Sequence, residues 1–110
     1  MEITRKSREF TPAEIYKATK SNSIKRVSDI PDNETVNVKD YIVYEDVKED
    51  GSSVTILSII TFSGIYATNS ATFIRTFLDI VDIMGELPVN ILVGHDTSKN
   101  GRNFIFADLA

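Results

Sequence analysis

No cysteine occurs among the 110 residues, which excludes a disulfide framework, a thiolate metal site and a cysteine nucleophile. A reducing interior suits such a composition. Histidine is almost as scarce: His95 stands alone, so neither a Cys–His pair nor a His-rich metal cluster can be built. Long apolar runs are missing too. The stretch Ile56 to Phe62 is interrupted by Ser58 and Thr61 and falls far short of the roughly 18 residues that a membrane span needs. The opening MEITRKSREF lacks the apolar core of a signal peptide. No membrane partner is expected, and a cytoplasmic location is. Glycines are few, and Gly51, Gly64 and Gly101 each sit beside a turn-forming residue, outside any phosphate-binding Gly-rich motif.

What is present describes an ordinary folded chain. Hydrophobic residues make up 42% and charged residues 25%, too apolar for intrinsic disorder. At this length folding hides roughly two thirds of the unfolded surface, enough for one core and one domain. The net charge of −4 is unevenly spread: residues 1–27 hold seven basic and three acidic groups, and the remainder carries −8. Attraction to a polyanion depends on local potential within a Debye length of about 8 Å, more than on the total.

Element order carries more information than composition. Thr11-Pro12-Ala13-Glu14 is a helix start, with Thr11 as N-cap, Pro12 in the first turn and Glu14 closing a capping box. This predicts a short helix to about Thr19, followed by a second helical turn within Ser23–Ser28. Glu34 to Val47 then reads as a long strand, with Val36, Val38, Ile42 and Tyr44 on one parity and Tyr41 and Val43 on the other. The Asp50-Gly51 turn leads to a partner strand, Val54 to Phe62, and Ser63-Gly64 to a short third strand, Ile65 to Thr68. Phe73, Phe77, Ile80, Val81 and Met84 form a core-facing helical stripe over residues 70–84, capped by Asn69 or Ser70 and ended by Gly85 and Pro88. Val89–Val93 and Arg102–Leu109 supply two last strands around a polar loop that holds His95 and Asp96.

A β-β-β-α-β-β order after a helical preface is that of an all-β barrel of the OB-fold type, whose helix between strands three and four plugs one end. The expected organisation is a basic helical extension, residues 1–30, packed on a barrel of residues 31–110. An open α+β sheet with one helix on its face is the competing arrangement, because spatial strand order is not written in a sequence.

Catalysis has little to work with, so no enzymatic activity, cofactor or metal is expected. His95 beside Asp96 reads as a surface residue. Glu45, Asp46, Glu49 and Asp50 lack the ligand spacing of a calcium loop and read as a solvated hairpin. Binding has more. In the last strand Arg102, Phe104 and Phe106 share one face, while Ile105, Ala107 and Leu109 share the other. If the aliphatic set points inward, two phenylalanines and an arginine face outward beside Lys99. Rings next to cations suit unpaired bases, since each stacked base contributes about 1–3 kcal/mol whatever its identity. The opposite parity would make Phe104 and Phe106 core. Among the remaining aromatics, Tyr41 and Tyr66 are the candidates for exposure, and Arg5, Lys6 and Arg8 are candidate phosphate contacts.

The segments Arg5-Lys6-Ser7-Arg8-Glu9-Phe10-Thr11, Tyr41-Ile42-Val43-Tyr44-Glu45-Asp46, Ile56-Leu57-Ser58-Ile59, Ala67-Thr68-Asn69-Ser70-Ala71-Thr72-Phe73 and Ser98-Lys99-Asn100-Gly101-Arg102 resemble those of small single-stranded DNA-binding proteins of tailed bacteriophages of Gram-positive hosts. The resemblance runs from near residue 4 to residue 109. It implies coating of exposed strands, melting of hairpins and protection from nucleases during replication or recombination, in the host cytoplasm. Replication or recombination proteins are the implied protein partners, with a homo-oligomer as a further possibility. Many such proteins end in a flexible acidic tail that recruits partners, whereas this chain stops at Phe106-Ala107-Asp108-Leu109-Ala110, so recruitment by a tail is not expected. The rival function is a protein-interaction module or inhibitor of a host enzyme, with the acidic residues 29–50 mimicking nucleic acid.

Overall fold

The computed structural model describes residues 1–110. In chain order the elements are β1 (Glu2–Lys6), α1 (Pro12–Thr19), β2 (Lys25–Arg26), a 3-10 turn (Val27–Asp29), β3 (Glu34–Val47), β4 (Ser53–Thr61), β5 (Gly64–Thr68), α2 (Ala71–Met84), β6 (Val89–Thr97) and β7 (Asn103–Leu109). Both helices start as their sequences dictate. The Thr11 hydroxyl accepts from Glu14 N–H, and the Glu14 carboxylate accepts from Thr11 N–H. The Ser70 hydroxyl caps Phe73 N–H, and Gly85, with φ of 74°, ends α2 in the left-handed conformation.

One strongly curled sheet runs β2-β5-β4-β3-β6-β7, with β1 added to β3. β3 is its spine. One edge pairs with β4 over Val38–Val47; the other pairs with β6 over Glu34–Val38 and with β1 over Ile42–Glu45. A bulge at Lys39, where the β3–β4 register shifts between Val38 and Asp40, reverses the side-chain parity part-way along the strand. Val36, Val38, Tyr41 and Val43 therefore enter one core together with Leu57, Ile59, Ile91, Val93 and Ile105, and Ile42 and Tyr44 leave on the other face. Uninterrupted alternation would have grouped Ile42 and Tyr44 with Val36 and Val38.

α2 plugs the concave side. Phe73 and Phe77 are fully buried, their rings stacked 6.3 Å apart, and Tyr41 meets Phe77 edge-on at 5.5 Å. α1 covers the convex side of β3 and β4, where Ala18, Ile42 and Tyr44 form a second small core. Two side chains of the sheet pin its last turn: the buried Ser58 hydroxyl donates to Ala18 C=O at 2.6 Å, and Tyr44 donates to Thr19 C=O at 3.3 Å.

Four expectations need correction. Residues 2–6 are a strand of the sheet, not part of a helical extension, because alternation of Ile3 with charged neighbours matches the free edge of β3. Residues 23–28 form β2 and the start of the 3-10 turn in place of a helical turn. His95 and Asp96 belong to β6, which runs to Thr97. The sheet also does not close by strand pairing: β5 and β7 are not neighbours. Val27 and Ile30 fill the seam from inside, and Ile30 C=O and the Asp32 carboxylate hold the His95 ring and backbone N–H there at 2.6 and 2.8 Å.

Candidate nucleic-acid interface

The β6–β7 hairpin gathers four of the residues singled out in the sequence. Its turn is tight: Ser98 N–H donates to Arg102 C=O, Gly101 N–H to Ser98 C=O, and Arg102 N–H to the Ser98 hydroxyl. Gly101 occupies the left-handed region at φ of 79°, which few other residues adopt without strain. This turn presents Lys99 and Arg102 to solvent, and neither forms an ion pair. Beyond it the strand alternates: Ile105 (8% exposed) and Ala107 belong to the core, while Phe104 and Phe106 are half-buried on the opposite face, 6.2 Å apart and tilted by 43°.

Phe106 rests on Gly94, its cross-strand partner. A Cβ at Gly94 would collide with the Cζ, Cε1 and Cε2 atoms of that ring, so close approach, not backbone conformation, requires glycine there. Phe104 borders a groove of about 580 Å³ in the open seam, between β7 and the Thr68–Ser70 segment that precedes α2. Asp96, the cross-strand partner of Phe104, lines the same groove.

The other candidates lie elsewhere. Arg5 pairs with Val43, nine residues along β3 from Glu34, the residue that meets Val93 of β6, roughly 30 Å of strand at ~3.3 Å per residue. Its guanidinium donates to the Tyr41 hydroxyl at 2.9 Å and to the Asp82 carboxylate. Arg8 is held between Glu14 at 2.7 Å and Asp40 at 3.1 Å, and Lys6 meets Glu9 at 3.0 Å. The Arg8 hydrogen bond, helped by that of Thr11, pulls the Glu14 carboxyl down to about 2, and Arg5 likewise lowers Asp82. Five of the seven cations in residues 1–27 are in such pairs. Tyr41 is only 4% exposed, because the bulge turns it inward. Tyr66 sits half-buried at the core margin, with Lys25 Nζ 5.4 Å from its ring.

Two aromatics are largely exposed: Tyr16 on α1, at 61%, and Phe62 just past the end of β4, at 79%, the latter with Lys39 Nζ 3.7 Å from its ring centroid. Neither Lys25 nor Lys39 meets a carboxylate. The bulge that aims Lys39 at Phe62 left no sign in the sequence. The acidic hairpin is tied internally: Lys20 lowers Asp46 and bonds it at 2.6 Å, and Asp50 accepts from Ser52 N–H and hydroxyl. No group of three or more metal-ligating side chains is present, and no helix is long and apolar enough to cross a membrane. Comparison with known protein families, with curated protein sequences and with solved structures finds no match.

Proposed function

We propose that the protein binds single-stranded DNA on the outward face of the β6–β7 hairpin, without catalysing a reaction. The observation that carries this reading is the pairing of two half-buried rings on the outer face of β7, Phe104 and Phe106, with two exposed cations free of carboxylate partners, Lys99 and Arg102. Rings offer stacking platforms that accept any base, and unpaired cations hold phosphates without first breaking an internal ion pair. Phe62, Lys39 and Lys25 add a second aromatic and cationic surface at the β4–β5 turn. In this reading the curled sheet is an OB-type barrel whose last closure is left to the seam, and the role is coating and protection of strands in replication or recombination, as the resemblance to phage proteins implies.

The ion pairing of Arg5, Lys6 and Arg8 favours a second reading, in which the acidic remainder engages a protein as a nucleic-acid mimic. A mobility-shift titration with oligo-dT at low salt separates the two. Binding that weakens with salt, with a slope of about −0.7 per phosphate neutralised, supports the first. No shift at any protein concentration supports the second.

A further inference from the structure

A carboxylate on a nucleic-acid interface repels phosphate, yet Asp96 stands beside Phe104 on the groove of the open seam. Its surroundings suggest what it does. Oδ1 accepts from Thr97 N–H at 2.8 Å, and Oδ2 has no partner. Asn103 accepts from the Thr97 hydroxyl through Oδ1 at 3.1 Å, which leaves its amide N–H groups unused. Asn69 and Ser28, also on the groove, engage no side-chain hydrogen bond. The strand edge adds backbone groups. Ala107 N–H turns away from β6 to Thr76 Oγ1 at 2.8 Å, and alternation along an antiparallel ladder aims the N–H and C=O of Ile105 and Asn103 the same way, into the seam.

Resting on the single-stranded DNA reading above, we infer that this groove reads the edge of one base stacked at Phe104 and favours bases that carry an exocyclic amino group over thymine. The reason is the chemistry of Asp96. A carboxylate only accepts, so it matches the N4 amino group of cytosine, whereas the O4 of thymine sets acceptor against acceptor. The interface is then not indifferent to sequence at this one position, although stacking elsewhere is.

Cytosine and thymine stack over similar areas, so oligo-dC against oligo-dT at pH 8 isolates that amino group. The wild type is expected to bind oligo-dC about tenfold more tightly. Asp96→Asn, which keeps the side-chain shape and can still accept from Thr97 N–H, is expected to remove most of the preference. Equal or tighter binding of oligo-dT, or an unchanged dC-to-dT ratio in Asp96→Asn, overturns the inference while leaving strand binding intact. Failure of both oligonucleotides to bind overturns the function proposed above and this inference together.

Discussion

Gly94→Ala tests whether the Phe106 ring sits where the interface needs it. The added methyl would fall inside contact distance of three ring atoms, and the backbone at Gly94 is not in the left-handed region, so the whole penalty is collision. Gly94 is buried, pairs directly with Phe106 in the β6–β7 ladder and follows Val93, which is paired with Glu34 of β3, so its backbone is held and the ring must yield. Overpacking of this kind costs about 1–3 kcal/mol, or a fall in melting temperature of roughly 4–12 °C for a domain near 100 residues. In a Phe106→Ala background the obstacle is gone, and the same methyl should cost almost nothing. Thermal or urea denaturation of the four proteins in this cycle gives the coupling. Affinity for oligo-dT should fall in Gly94→Ala, because the displaced ring no longer lies beside Phe104. An equal cost of Gly94→Ala with and without the Phe106 ring would refute the packing argument. A folding cost with unchanged affinity would remove Phe106 from the interface.

Phe104→Ala is expected to weaken oligonucleotide binding by about 1–3 kcal/mol, or 5- to 150-fold, with little change in melting temperature, whereas core Ile105→Ala should cost about 2–5 kcal/mol of folding stability. The reverse pattern by calorimetry and titration would invert the two faces of β7. Replacing Lys99 and Arg102 by Gln should make the salt slope less negative by about 1.4. The same change at Arg5 and Arg8 should leave the slope alone and lower the melting temperature, since those cations tie β1 and α1 to Asp82, Asp40 and Glu14. The Glu14 carboxyl is depressed from its ordinary 4.5 to about 2, so the stability it contributes is complete above about pH 4.5 and is lost as pH falls through about 2. Denaturation midpoints measured over that window should fall, and Glu14→Gln should flatten the decline.

Much of the architecture was legible because local signals agreed with the fold. The capping box at Thr11, the stripe of Phe73 and Phe77, and the glycine turns at Gly51, Gly64 and Gly101 each specify structure within a few residues. The alternation of Ile105 and Ala107 against Phe104 and Phe106 left two parities open, and the core chose between them. What escaped was non-local. β1 pairs with a strand some forty residues away, and a five-residue segment with one aliphatic side chain carries too weak a period to be read. The bulge at Lys39 is a property of the β3–β4 pairing, and it alone decides that Tyr41 is buried and Phe62 flanked by a cation. Gly94 looked like any other glycine until its neighbour across the ladder was known.

The use of β3 as a shared spine bears on how the chain assembles while it is being made. Ile3 and Lys6 wait for Tyr44 and Ile42, roughly 40 residues later, or about 2–8 s at ~5–20 residues per second. The β3–β4 hairpin, once synthesised, zips in microseconds and uses the opposite edge of β3, so it need not wait for either of the other partners. β1, already made, and β6, made much later, share the remaining edge from opposite directions along the polypeptide, each stopping short of the other. The sheet therefore grows outward from β3, whose two edges fill independently of one another.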